Sequence, residues 1–236
     1  MHCETSLDFQ KGPDMEHHLP SDIERTSMSI ITRELTERGI TLQQGTEAIV
    51  KRVIHATADF DFAQTLTFVG DPQEVITHAL LEQHSSIVTD TNMALSGISK
   101  RALQQLGCDA KCYMRDPEVM ESAKKEGTTR AVASMKKAAR ETSHAVFAIG
   151  NAPTALFTLS ELIEQGLRPS MVIGVPVGFV NVIEGKERIL KTCQDYGVPG
   201  IIAMGRKGGS TVATAICNAL LYSGADMLDP VNRGWN

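Results

Sequence analysis

The 236-residue chain has no apolar run of membrane-spanning length, and residues 1–20 are polar, without the hydrophobic centre of a signal peptide. That predicts a cytoplasmic protein with no membrane partner. Aromatic residues make up only 5%, and the five cysteines, Cys3, Cys108, Cys112, Cys193 and Cys217, are scattered. Such a set fits neither a disulfide framework nor a zinc knuckle, so the thiols are read as reduced and mostly buried, and no metal site is expected. Excess positive charge is missing too. The formal net charge is -5, which disfavours a nucleic-acid partner because neutralising phosphates requires a basic face. Two nucleotide signatures are absent: no G-x-G-x-x-G follows a predicted strand, and Gly205 to Thr211 lacks the P-loop spacing before a Gly-Lys-Ser/Thr ending.

What the chain does have is 42% hydrophobic residues, enough to bury one large α/β core. Residues 1–20 lack periodicity and carry Gly12, Pro13 and Pro20, which predicts an N-terminal arm with His17 and His18 solvated. Residues 21–222 are read as a single domain and 223–236 as an irregular C-terminal tail. Ser21 followed by Glu24 predicts a capping box, with Ile23, Ile30, Ile31 and Leu35 forming a helical stripe up to Gly39. Thr41 and Gln44 repeat that start signal, and Ile49, Val50, Val53 and Ile54 carry a second helix to His55 near its C-terminus.

From Asp71-Pro72 onward helices alternate with short apolar runs. Strands are predicted at Ser86 to Thr89, Ala110 to Met114, Ala145 to Ile149, Met171 to Gly174 and Gly200 to Met204. Helices are predicted at Arg101 to Leu106, Pro117 to Lys125, Arg130 to Glu141 and Thr154 to Gln165, within Val182 to Tyr196, and at Ser210 to Leu221. Parallel neighbours need crossover connections, so the pattern predicts a doubly wound α/β fold. It is a five-stranded, mainly parallel sheet with helices on both faces, preceded by two N-terminal helices.

Ligands of such sheets bind outside the carboxyl ends of the strands. The segments there read Thr89-Asp90-Thr91-Asn92-Met93, Gly150-Asn151-Ala152-Pro153-Thr154, Gly174-Val175-Pro176-Val177-Gly178-Phe179 and Gly205-Arg206-Lys207-Gly208-Gly209-Ser210. Glycines let a backbone approach a ligand, and helix-start amides attract anions, so these loops suit carboxylates or phosphates. The same residues are also what any strand-to-helix turn needs. Of the seven histidines, His55 alone sits in an apolar helix followed by small residues, Ala56-Thr57-Ala58. It is either a structural histidine or a proton donor poised near neutral pH.

These motifs resemble the precorrin-8X methylmutase family, also called precorrin isomerase and including the cobalt-precorrin-8 enzymes. The likeness rests on Gly150 to Leu156, Gly174 to Val180, Gly205 to Ser210 and Asn218-Ala219-Leu220. Upstream it includes Arg52-Val53-Ile54-His55-Ala56, Thr89-Asp90 with Met93 and Gly97, and Thr129-Arg130. The resemblance implies a homodimeric isomerase that moves a methyl group from C-11 to C-12 of a corrinoid macrocycle, needing no methyl donor, nucleotide or redox cofactor. It implies His55 as the catalytic acid and Ser27, with Thr26 the alternative, beside the substrate.

With the loops, the candidate substrate contacts become Ser27, Thr89, Asp90, Met93, Arg130, Gly150, Asn151, Ala152, Gly178, Arg206, Lys207, Gly208, Gly209 and Ser210. Arg206, Lys207 and Arg130 would meet the acetate and propionate groups of the ring. Met93, Phe179 and Val180 would either pack on its faces or belong to an ordinary core. Two positions depart from the family: Glu184-Gly185-Lys186 stands where Glu-Ser-Lys is frequent, and Ala58 where glycine is common. A corrinoid carrier without catalysis and an S-adenosylmethionine-dependent methyltransferase of the same pathway are the alternatives. The sequence does not distinguish a cobalt-loaded from a metal-free ring.

Overall fold

The computed structural model describes residues 19–142 and 144–234. The predicted arm, with His17 and His18, lies outside the described residues as far as residue 18. In chain order the elements are α1 (Pro20–Glu37), α2 (Glu47–Thr57), α3 (Phe62–Thr65), β1 (Leu66–Val69) and α4 (Pro72–Val75), the last continuing as a π-helical stretch, Ile76–Glu82. Then follow β2 (Ile87–Thr89), α5 (Asn92–Gly97), α6 (Lys100–Leu106), β3 (Ala110–Lys111), α7 (Pro117–Lys125) and α8 (Arg130–Glu141). The chain continues through β4 (Val146–Ile149), α9 (Pro153–Glu164), β5 (Met171–Gly174), α10 (Val182–Tyr196), β6 (Gly200–Ala203) and α11 (Ser210–Gly224), and closes with a 3-10 turn, Pro230–Arg233.

The described strands form one sheet of six, not five, in the order β1-β6-β5-β4-β2-β3. The additional member is β1, which pairs antiparallel with β6 while the remaining pairs are parallel. It escaped the sequence reading because it is a half-exposed edge strand without the continuous apolar run that marks the buried strands. The third predicted strand is also shorter than expected, since Tyr113–Arg115 closes into a 3-10 turn.

Alternation along the strands builds two cores. Ile87, Val146, Ala148, Met171, Ile173 and Ile201 face one side, where they meet buried residues of α1, α2, α6 and α11. Val88, Phe147, Ile149, Val172 and Ile202 face the other, against α7, α8, α9 and α10. Both sheet faces are therefore covered, as an all-parallel centre requires.

Three local expectations are corrected. The first helix starts at Pro20, whose fixed φ suits a first turn, and no side chain caps it. Ser21 is buried inside that turn and Glu24 points into ion pairs, so no capping box forms there. The second helix starts after Thr46, whose hydroxyl bonds the Gln43 carbonyl, and not from Thr41 and Gln44. The segment after Gly224, expected to be an irregular tail, is packed: Ala225, Met227, Pro230 and Arg233 are buried.

Candidate active site

Two helices bring the first pair of candidates together. His55 lies in the last turn of α2, whose stripe Ile49, Val50, Val53 and Ile54 is buried and so fixes the direction in which residue 55 projects. Ser27 lies on α1, and its Oγ is 2.8 Å from His55 Nδ1. The pair lines an open groove of about 620 Å³ with apolar walls from Ile23, Ile30, Ile31, Ala58 and Phe60, and with Glu34 and Arg38 at its rim. Thr26 shares the groove but makes no such contact with the imidazole. A hydroxyl at Nδ1 holds the ring's orientation and leaves Nε2 as the nitrogen free to exchange a proton. Burial lowers the His55 pKa from 6.5; Glu24 opposes this, and Arg52 and Arg233 add to the lowering.

One helical turn earlier on each helix lies a second pairing. Arg52 donates to Glu24 Oε1 at 2.7 Å, and Arg233, from the end of the chain, donates to the same oxygen at 2.6 Å. The Tyr222 ring lies beneath both guanidinium groups, 4.9 Å from that of Arg52 and 4.7 Å from that of Arg233. Burial pushes the Glu24 carboxyl up, but hydrogen bonds and charge from Arg233 and Arg52 outweigh it and hold the pKa below the ordinary 4.5.

At the strand ends the structure reassigns several candidates. In this strand order the chain reverses between β2 and β4, which opens the switch-point crevice where ligands of such sheets sit. Here the protein's own Asp90 fills it. Its carboxylate accepts from the backbone N–H groups of Gly150 and Asn151, both at 2.8 Å, and Ala152 at 2.7 Å. Asp90 is 1% exposed and Thr89 0%, and the Thr89 hydroxyl bonds the Thr91 and Lys111 carbonyls. Both side chains are buried, and the three amides expected to hold a substrate acid already donate to the Asp90 carboxylate. Burial pushes the Asp90 carboxyl upward while those N–H groups pull it back.

The glycines follow the same logic. A Cβ on Gly208 would collide with the Val175 carbonyl, and one on Gly150 would come within 2.8 Å of Ser210 Cα. Gly209 N–H donates to the Val175 carbonyl and Gly178 N–H to that of Arg206, while the Ser210 hydroxyl meets Thr91. These residues bring loop against loop, so the glycines serve close backbone contact between the strand-end loops. Lys207, expected at a substrate acid, is instead bound by Asp59 and Asp61, both at 2.6 Å. That double bridge ties the loop after β6 to the segment leaving His55's helix.

What does face outward at the strand ends is Arg206, stacked 5.5 Å from the Phe179 ring centre, together with exposed Arg130 at the start of α8. Phe179, Val180 and Met93 are 83%, 76% and 67% exposed, which excludes them from the core.

The family model for precorrin-8X methylmutase matches residues 22–223. This chain belongs to the precorrin-8X methylmutase family. It is 45% identical to a cobalt-precorrin-8 methylmutase of Salmonella typhimurium over 86% of its length and 95% of that protein. A precorrin-8X methylmutase of a Sinorhizobium species is 37% identical over 73% and 81% of the two chains. Among solved structures, the precorrin-8X methylmutase of Thermus thermophilus superposes with a TM-score of 0.76 at 34% identity, covering 86% of this chain and 98% of that one.

Set against the methylmutase family, the two departures now have structural meaning. Ala58 ends α2 at φ 54, the left-handed conformation that favours the glycine common in the family. Gly185 sits where α10 meets α9, and a Cβ there would stand 3.4 Å from Phe157 and from the Pro153 carbonyl. Its neighbour Lys186, given no role on the sequence alone, proves to be structural. It is fully buried and donates to the carbonyls of Gly205 and Lys207 at 2.8 Å each, thereby fixing the loop after β6. The available signal was a lysine on the apolar stripe of its helix, with Val182, Gly185, Ile189 and Cys193. The network of Glu24, Arg52 and Arg233 was also missed, because two of its members are remote in sequence from the third.

Proposed function

We propose that this methylmutase moves a methyl group from C-11 to C-12 of precorrin-8X or cobalt-precorrin-8, giving hydrogenobyrinic or cobyrinic acid, with His55 as general acid. The observation that carries the reading is the contact of Ser27 Oγ with His55 Nδ1 at 2.8 Å inside an apolar groove. With Nδ1 held, Nε2 is the atom that delivers a proton to a ring nitrogen. Protonation withdraws electron density from the conjugated system and lowers the barrier to migration. General acid catalysis of this kind contributes about 10²- to 10⁴-fold. One carbon–carbon bond forms as another breaks within a single molecule, so the shift consumes neither oxidant nor methyl donor. Substrate and product are isomers, and the proton returns to the imidazole.

Arg206 and Arg130 are the cations we assign to the peripheral acids, with Phe179, stacked against Arg206, and the exposed Met93 and Val180 as the apolar contacts of the ring. Lys207 and Asp90 shape the loops without touching the ring. The groove is open and flanked by exposed Ile23 and Ile30, which supports a homodimer in which a second copy supplies the remaining wall. The cobalt-named relative quoted above is more similar to the chain than the one named for precorrin-8X, which favours the cobalt-loaded ring.

The test is incubation of the purified chain with metal-free and cobalt-loaded substrate, without S-adenosylmethionine, followed by absorbance. Conversion to the rearranged chromophore is expected. Binding without conversion, or conversion only with a methyl donor, would overturn the reading.

A further inference from the structure

Residues 226–234 lie outside the characteristic motifs of the sequence, yet they are stitched to the element that carries Ser27. Arg233 reaches Glu24 at 2.6 Å, Arg25 grips the Asp229 carboxylate at 2.7 and 2.8 Å, and Arg101 holds the Arg233 carbonyl at 2.8 Å. Glu24 stands one turn before Ser27, and its other partner, Arg52, one turn before His55. The same two helix faces therefore carry two contacts in register, one ionic and buried, the other at the groove. Any slip between α1 and α2 that separates Ser27 from His55 must also break Glu24 from Arg52, and Arg233 bears on that joint from outside with Tyr222 beneath both guanidiniums.

We propose that Arg233 is a positioning residue for the Ser27 and His55 pair, acting through Glu24, so that the C-terminal turn is part of the catalytic apparatus. The proposal rests on the reading of His55 as proton donor. Buried ion networks of this kind contribute little net stability compared with apolar packing but penalise every geometry that leaves one charge alone. Among the described residues, the charges facing the imidazole are Glu24 on α1, Arg52 on α2 and Arg233 on the terminal turn, with Glu34 and Arg38 at the groove rim. Removing Arg233 should raise the proton affinity of His55, and removing the Glu24 charge should lower it. A purely structural disturbance has no reason to produce opposite signs.

The experiment titrates the His55 ring by NMR in the full chain and in Arg233→Met, Arg233→Lys and Glu24→Gln, and measures kcat and KM for each. In Arg233→Met the His55 midpoint should rise by about half a unit and kcat should fall about tenfold with KM little changed; Arg233→Lys should recover most of both. In Glu24→Gln the midpoint should fall. Unmoved midpoints and an unchanged kcat in folded Arg233→Met would overturn the proposal. If Arg233→Met does not fold, Glu24→Gln decides; if neither folds, the network serves only the fold and the proposal fails. The titration needs no substrate, so the two readings can fail separately. Shifts of the expected signs in a chain that converts nothing would refute the methyl shift alone, and flat titrations in an active chain would refute this inference alone.

Discussion

Burial lowers the affinity of His55 for its proton, and a proton donor must be loaded before it can act. The free enzyme's kcat/KM should therefore be highest at low pH and fall as pH rises through a midpoint below 6.5. A pH profile of kcat/KM that is flat from about pH 5 to 8 removes proton donation from His55. His55→Ala should fold and bind the ring while kcat drops by about 10²- to 10⁴-fold, checked by single-turnover absorbance beside a binding titration. Ala58 belongs to the same scale. An alanine held at φ 54 is strained where glycine is not, so Ala58→Gly should raise stability by about 0.5 to 1 kcal/mol in urea unfolding. A loss of stability would show that the turn carries no such strain.

At the scale of elements, two buried ionisable side chains hold the strand-end loops. Asp90, following β2, serves three amides of the loop after β4. Asp90→Ala leaves those donors without their acceptor and should cost about 2 kcal/mol or more, read as a lower urea midpoint. Lys186, on α10, holds the loop after β6, and burial pushes its pKa down to about 8 from an ordinary 10.5. Between those values the unfolded chain binds the proton that the folded chain has released, so this lysine favours folding increasingly as pH rises. The unaltered protein should gain stability relative to Lys186→Met from pH 8 toward 10.5, and a constant difference would mean that the amine titrates as if exposed.

At the scale of the whole molecule, two cores on opposite faces of one sheet leave the His55 groove at the outer side of α1 and α2. On the proposed reading, a flat macrocycle in this open groove needs a second wall. The mass in solution should be that of two chains, and dilution that separates them should reduce turnover per chain. A fully active monomer would remove the second copy from the site.

The buried strands were legible because central parallel strands are apolar on both faces and interrupt helices of different periodicity. Ile87–Thr89 and Val146–Ile149 fall inside their expected ranges for that reason, and Met171–Gly174 coincides with its range. The half-exposed Leu66–Val69 carries no such contrast, and an edge strand is defined by the neighbour it joins.

Sequence by itself determined the alternation of elements and the family to which His55 and the glycine loops belong, since those are written in local pattern and motif. Only the tertiary structure decided that the Asp90 carboxylate occupies the anion site its own motif suggested, that Lys207 is bound by Asp59 and Asp61, and that Arg233 reaches Glu24 from the opposite end of the chain. The physical reason is the same in each case. A polar group's role depends on which partner satisfies it, and these partners lie far apart along the chain until the two cores form and bring them within hydrogen-bond reach.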